Sequence, residues 1–282
     1  MAKTAKHPKK LKPGSNVALF ASSFKFDLER FHLGKKTLED KFGLKTTHLP
    51  GLFDSDHYFA GSDERRLHEL SYWLTNDEVE GLFLVRGGYG CARIYPQLIK
   101  ILKKKKNLRP KIIVGHSDLT ILLNGFYQDL GWITFHAPVL VGKAITEATA
   151  VEEQTFKQSL FTNKPLGSVA CERVLQEGSA KASIIGGCLS LLVSSLGTDY
   201  EIVTKNKILI LEDILEPPYK IDRMLTQLLH AGKLDSIAGL VIAQMTDCNP
   251  TKNTEGTDVN QAIESAIGPF LRKNKIPAVM GF

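Results

Sequence analysis

The chain has 282 residues, of which 43% are hydrophobic and 23% charged, a composition typical of one large or two modest globular domains. No apolar run approaches the ~20 residues of a membrane-spanning helix, and the basic N-terminus lacks the apolar core of a signal peptide. We therefore expect a cytoplasmic protein with no membrane partner. The net charge of +6 lies in two lysine runs, residues 1–12 and 103–106; outside these nine lysines, 27 basic residues stand against 30 acidic ones, which argues against a nucleic-acid partner.

Apolar strands alternate with helical segments in the first half of the chain. The predicted strands lie at 17–20, 44–49, 81–85, 112–114 and 134–135, and the clearest helices at 27–42, 62–74 and 119–130. Strands that are apolar throughout and alternate with helices are typical of a parallel sheet covered on both faces. Ligands bind such sheets at the carboxyl ends of the strands.

The second half of the chain begins after a change of character between residues 147 and 178. We expect a domain at 13–146, a linker at 147–178 and a second domain at 179–282. Within the second domain, strands are predicted at 208–213, 239–243 and 278–280, and helices at 219–231 and 259–271.

Cysteine spacing gives no support for a disulfide framework or a zinc site. No C-x-x-C pair or Cys/His ligand spacing is present, so free thiols are expected, without a metal or other cofactor. The four cysteines are Cys91, Cys171, Cys188 and Cys248.

A sharp turn, Gly115-His116-Ser117-Asp118, separates the apolar strand at 112–114 from the helix that follows. A serine on such a turn is lifted off the sheet, and the next backbone N–H can point at a developing oxyanion. The fifth position of the G-x-S-x-G signature is Leu119 instead of glycine. Ser117 is therefore a candidate nucleophile, with a helix-capping role for Ser117 or Asp118 as the alternative.

The loop Arg86-Gly87-Gly88-Tyr89-Gly90 follows another apolar strand and precedes a helix. Consecutive glycines let the backbone approach a ligand and supply an N–H to an oxyanion, although a tight βα turn explains them equally well. No G-K-[ST] motif is present, so nucleotide phosphate binding has little support.

Carboxylate and imidazole candidates stand at other strand ends. Glu212 and Asp213 close a strand, and since adjacent strand residues point to opposite faces, at most one of them faces a given site. A charge at a helix entry is the alternative. His136 ends a short strand at the edge expected for Ser117, as a base, a substrate contact or a structural histidine.

Taken in chain order, these short motifs resemble the LD-carboxypeptidases, a family of serine peptidases that includes muramoyltetrapeptide carboxypeptidase and the microcin C immunity protein. The resemblance covers about residues 11–282 and rests on LKPG, RGGYG, GHSDLT, FHAP, GGCLS and LED followed by PPYKIDRMLTQLL. It implies a flavodoxin-like α/β domain with a parallel sheet, a smaller β-rich C-terminal domain, a site between them and a homodimer.

The resemblance also implies a Ser–His–Glu triad that needs no metal. Ser117 matches the nucleophile, Glu212 the carboxylate, and the backbone N–H groups of Gly88 and Asp118 the oxyanion hole. The family histidine lies in a Gly-His motif after the strand that here reads IPAVMGF, beyond Phe282. We expect the native chain to continue past Phe282 and the 282 residues alone to be almost inactive, with an inactive relative as the alternative.

The implied function is a serine carboxypeptidase that cleaves the L,D amide bond releasing terminal D-alanine from murein tetrapeptides in peptidoglycan recycling. Arg86, Tyr89 and His136 are candidates for substrate binding, with a structural ion pair as the alternative for Arg86. The polar residues 54–62 are a candidate rim of the substrate cleft. A microcin-immunity-type peptidase acting on aminoacyl-nucleotide conjugates and an inactive muropeptide-binding protein remain alternatives.

Overall fold

The computed structural model describes residues 5–251 and 256–281 of the chain. Its internal contacts separate two units, the first ending at Gly167 and the second beginning at Ser168. Each unit is built around one five-stranded sheet. No helix among the described residues combines the length and the apolar composition that crossing a membrane requires.

The first unit has a parallel sheet in the strand order β2-β1-β3-β4-β5. This is the order of the flavodoxin-like folds, which confirms the predicted fold class. Its strands are β1 (Asn16–Phe20), β2 (Lys45–Thr47), β3 (Gly81–Leu84), β4 (Ile112–Gly115) and β5 (Phe135–His136). Its helices are α1 (Leu28–Phe42), α2 (Asp63–Thr75), α3 (Cys91–Lys103), α4 (Thr120–Leu130), α5 (Lys143–Thr146) and α6 (Ala150–Phe161).

Local signals explain where the helices of this unit begin and end. The Asp27 side chain accepts from the backbone N–H of Arg30 at the start of α1, and Gly43 ends that helix in the left-handed conformation. At α6, Thr149 and Glu152 form a reciprocal capping box. Because β3 and β4 are buried at every position, their apolar sequences are explained by helices on both faces of the sheet.

The N-terminal segment that precedes β1 is joined to distant parts of the first unit. The backbone of Lys6 exchanges hydrogen bonds with Gly131 and Ile133 on either side of Trp132. Leu11 is buried in the core, and its N–H donates to the carbonyl of Leu160 in α6 at 3.0 Å. The segment is therefore part of the packed unit.

The second unit has a mixed sheet in the order β6-β10-β9-β8-β7, in which only the β6–β10 pair is antiparallel among the described pairings. Helices α8 and α9 pack against each other beside it. The strands are β6 (Arg173–Gln176), β7 (Ile184–Cys188), β8 (Ile208–Ile214), β9 (Gly239–Thr246) and β10 (Ala278–Met280). The helices are α7 (Leu189–Ser194), α8 (Pro218–His230) and α9 (Val259–Asn274).

Two predicted strands end two or more residues from the end that the structure shows. The strand expected at 44–49 is shortened to β2, because Pro50 opens a 3₁₀ turn and cannot donate to a ladder. The strand expected at 239–243 extends to Thr246. Its last residues continue the ladder with β8, where Met245 lies opposite Asp213 and Thr246 opposite Ile214.

Candidate active site

The turn after β4 holds Ser117 in a strained backbone conformation. Its φ is 59°, in the left-handed region, and it opens a 3₁₀ turn that leads directly into α4. For a residue with a side chain this region costs about 1–2 kcal/mol, and such strain is typical of a nucleophile raised on a strand–turn–helix elbow. No side-chain cap bond is formed at the start of this turn or of α4, so the capping alternative is wrong.

Leu119, at the fifth position of the elbow, is accommodated because Gly115 leaves room for it. A Cβ added at Gly115 would lie 2.6 Å from Leu119 Cδ2 and 2.9 Å from Leu84 Cβ. Leu119 is fully buried in this space. Leu119 therefore fits where the G-x-S-x-G signature has its second glycine, because its side chain packs into the space beside Gly115.

The glycine loop after β3 lies against the nucleophile turn. A Cβ added at Gly87 would lie 2.8 Å from Ser117 Cβ and 2.9 Å from its Oγ, so only glycine fits here. The Gly87 carbonyl accepts from the N–H of Phe24, and the Phe24 ring covers Gly88 so closely that a side chain there would collide with it. The structure thus brings together the two strand ends that the sequence predicts at one sheet edge.

The carboxylate of Asp118 is buried beneath this edge. Its Oδ2 accepts from Ser23 Oγ at 2.6 Å and from the backbone N–H of Cys91 at 2.8 Å. Burial raises the pKa of this carboxyl, and the two hydrogen bonds oppose the shift. This use of the Asp118 side chain was not predicted. The signal available was Ser22-Ser23, which follows β1 at the edge where ligands of such sheets bind.

Arg86 and Tyr89 lie on the same loop, at its surface. The Arg86 guanidinium donates to the carbonyl of Lys25 at 2.7 Å and lies 5.9 Å from the centre of the Phe24 ring. The structural alternative for Arg86 was an ion pair, but the hydrogen bond described here is to a backbone carbonyl. Tyr89 is 41% exposed, with its ring 6.0 Å from that of Phe59.

His136 is placed beside the nucleophile turn by the pairing of β4 with β5. Its backbone pairs with Gly115, and its ring centre lies 6.0 Å from that of His116. His136 is exposed at the surface. Desolvation by the surrounding protein lowers its pKa to about 4, and repulsion from His116 adds to the shift. His136 is therefore neutral at pH 7.

In the second unit, Glu212 and Asp213 face opposite sides of β8. Burial alternates along the strand, with Asp213 buried and Glu212 on the more open face. Asp213 accepts from the N–H groups of Ser190 at 2.7 Å and of Ile214 at 2.9 Å, which binds it into the fold. Burial raises the pKa of Glu212 to about 7, and repulsion from the charge of Asp213 makes a smaller contribution.

The sheet register changes beside Glu212. Leu211 pairs with Ile242 and Asp213 with Met245, so β9 has one more residue than β8 across this step. A bulge of this kind re-aims neighbouring side chains and is common next to active sites. Among the described residues, no three His, Cys, Asp or Glu side chains are arranged to hold a metal ion.

Comparison with known proteins agrees with this fold. Family models for the N-terminal and C-terminal domains of LD-carboxypeptidase match residues 17–137 and 181–282. A Bacillus subtilis (strain 168) protein named "Probable murein peptide carboxypeptidase" is 36% identical over 280 residues, which cover 95% of this chain and 85% of the relative. The murein tetrapeptide carboxypeptidase of Pseudomonas aeruginosa is 27% identical over 228 residues, covering 78% of this chain and 71% of that protein.

A solved structure extends the comparison to three dimensions. The MccF-like protein of Bacillus anthracis superposes with a TM-score of 0.83 at 24% identity, covering 98% of this chain and 90% of that one. At this identity the likeness bears on the fold. With both family models matched in chain order, this chain belongs to the LD-carboxypeptidase family.

Proposed function

We propose that this protein is a cytoplasmic serine carboxypeptidase that hydrolyses the L,D amide bond before the terminal D-alanine of murein tetrapeptides, as a step in peptidoglycan recycling. The observation that carries the proposal is Ser117 in a left-handed elbow directly beside Gly87. The names of the Bacillus subtilis and Pseudomonas aeruginosa relatives support a murein peptide as the substrate class. Mass spectrometry of a tetrapeptide incubated with the protein tests the proposal, and release of D-alanine is the expected result.

In the proposed mechanism, Ser117 Oγ attacks the carbonyl carbon of the scissile bond while a histidine takes its proton. The N–H groups of Gly88 and Asp118 donate to the oxyanion of the tetrahedral intermediate. The histidine then protonates the amine of D-alanine, which leaves, and water hydrolyses the acyl-enzyme by the same route. Glu212 holds the imidazole and stabilises its charged form.

The resemblance implies a histidine in a Gly-His motif as the base, and His136 is a rival candidate for that role. A general base acts best with a pKa near the working pH, and the pKa of His136 is about 4. We therefore expect His136→Ala to change kcat by no more than about tenfold. The measurement is kcat and KM for murein tetrapeptide. A loss of about 10⁴ in a folded variant would instead make His136 the base.

The polar residues 54–62 are proposed as a rim of the substrate site. The ring of Tyr58 is 50% exposed and packs edge-on against Phe24 at 5.2 Å, and Phe24 covers Gly88. We expect murein tetrapeptide to slow amide hydrogen exchange in 54–62 when it binds to a Ser117→Ala variant, which cannot turn it over. An all-L tetrapeptide of the same sequence is the control. Equal exchange with and without the murein peptide would remove these residues from the site.

The same mass-spectrometric assay separates the alternatives. Cleavage of an aminoacyl-sulfamoyl adenosine with no release of D-alanine would indicate a microcin-immunity-type peptidase. Tight binding of tetrapeptide without turnover by the full-length protein would indicate a muropeptide-binding relative. The homodimer that the resemblance implies stays a prediction, which light scattering of the purified protein can test.

A further inference from the structure

One carboxylate oxygen joins the ends of three neighbouring strands in the first unit. Asp118 follows β4 and is fully buried, and its Oδ2 accepts both the Ser23 hydroxyl and the Cys91 backbone N–H. Ser23 follows β1, and Cys91 begins α3 after the glycine loop of β3. Since β1, β3 and β4 are adjacent in the sheet, this oxygen lies where their carboxyl ends meet.

The two proposed oxyanion donors are attached to this junction from both sides. The backbone N–H of Asp118 belongs to the same residue as the carboxylate. The Gly88 N–H belongs to the loop whose far end, Cys91, is hydrogen-bonded to that carboxylate. The carboxylate also faces the N-terminus of α3, where negative charge is favoured. A shift of Asp118 or of Ser23 would therefore move one donor relative to the other.

Burying a carboxylate is unfavourable unless its oxygens are satisfied. Here burial raises the pKa of Asp118, while Ser23, Cys91 and the nearby Arg66 guanidinium act in the opposite direction. The Arg66 side chain is itself fully buried, and it donates to the carbonyl of Ser22 at 2.6 Å. The second oxygen of the Asp118 carboxylate, Oδ1, is buried without a hydrogen-bond partner in the described structure, so the fold does not fully satisfy this group. A local function therefore explains the carboxylate better than fold stability does.

We propose that the Asp118 carboxylate and the Ser23 hydroxyl are positioning residues, which hold the N–H groups of Asp118 and Gly88 in the geometry that an oxyanion requires. This rests on the proposed function of Ser117. Oxyanion donors accelerate a reaction because they are fixed before charge develops, and misplacement by about 1 Å costs about 10²-fold in rate. The effect should therefore appear in kcat and leave KM nearly unchanged.

Ser22 provides a matched control for Ser23. Both serines are fully buried and adjacent, and both hydroxyls contact Cys91 Sγ, at 3.2 Å for Ser22 and 3.7 Å for Ser23. Among the described contacts, only the Ser23 hydroxyl also donates to Asp118. We expect Ser23→Ala to lower kcat by about 10- to 100-fold with KM unchanged, and Ser22→Ala to stay within about threefold of wild type. Asp118→Asn keeps an acceptor oxygen, so it should retain more activity than Asp118→Ala.

Two further readouts separate this proposal from the substrate assignment. The rate at which a fluorophosphonate labels Ser117 depends on the nucleophile and the oxyanion hole, and not on a murein peptide. Amide exchange of Cys91 reports its bond to Asp118 directly and should be faster in Asp118→Ala than in Ser22→Ala. If the wild-type protein is labelled but leaves tetrapeptide intact, the substrate assignment fails while the labelling rates of the variants still test the positioning role.

Three results would overturn the positioning role. The first is a Ser23→Ala variant with wild-type kcat or labelling rate, which would make the carboxylate purely structural. The second is an equal loss of kcat in Ser22→Ala and Ser23→Ala, which would show a general disturbance of the junction. The third is a wild-type protein that the fluorophosphonate does not label, which would remove Ser117 as nucleophile as well. If Asp118→Ala does not fold, the comparison of the two serine variants still decides the matter.

Discussion

Replacing Ser117 by alanine should lower kcat by about 10⁶, roughly 8 kcal/mol of transition-state stabilisation, with little change in tetrapeptide binding. The nucleophile contributes only once the covalent bond forms, so the ground-state complex does not need it. Alanine at φ 59° is strained to about the same extent as serine. The fold and its stability should therefore be retained, and the loss can be assigned to chemistry.

The measurement is release of D-alanine from murein tetrapeptide, together with calorimetric binding of the same peptide. Thr149→Ala is the matched control, because Thr149 caps α6 in the same unit through its own side chain. That variant should lose about 1 kcal/mol of stability and keep its kcat. A Ser117→Ala protein with even a tenth of wild-type turnover would exclude Ser117 as the nucleophile.

Replacing Glu212 by glutamine should lower kcat by about 10⁴. The amide has nearly the shape of the carboxylate, but it carries no charge with which to stabilise the imidazolium of the proposed mechanism. Its other neighbours can stay in place, because glutamine fills the same space on the open face of β8. KM should change much less than kcat.

Asp213→Asn is the matched control for this variant, one residue away on the opposite face of the strand. Its carboxylate accepts from the N–H groups of Ser190 and Ile214, so the substitution should lower the free energy of unfolding by about 1–3 kcal/mol. Its kcat should stay within about tenfold of wild type. Equal catalytic losses of about 10⁴ in both variants, with both folded, would contradict the assignment of Glu212.

The parallel sheet of the first unit was predictable because its inner strands β3 and β4 are apolar and buried at every position, as expected when helices cover both faces of a sheet. Strand ends were less predictable, since pairing with a neighbour can extend a strand beyond its apolar core. At the end of β9, Met245 and Thr246 are paired because β8 continues beside them. β8 lies about thirty residues before β9 in the chain, so the sequence pattern of β9 alone does not predict this pairing.

The contact between Ser117 and the glycine loop follows from a general rule, because the carboxyl ends of adjacent parallel strands lie at the same edge of the sheet. The side chain of Asp118 follows no such rule. An aspartate between a strand and a helix is typical of a helix N-cap. The local sequence is the same when the aspartate is instead buried and accepts hydrogen bonds from the loops of other strands. Only the packing of Ser23 and Cys91 around Asp118 distinguishes the two.

The hydrogen bond between Leu11 and Leu160 has a consequence for synthesis on the ribosome. At about 5–20 residues per second, Leu160 is made roughly 7–30 s after Leu11. During that interval β1, an inner strand of the sheet, can pair with β2 and β3, while the apolar Leu11 in front of it lacks its partner in α6. Leu11 is therefore translated before the rest of the hydrophobic core of this unit, but it can complete its packing only after α6 has been made.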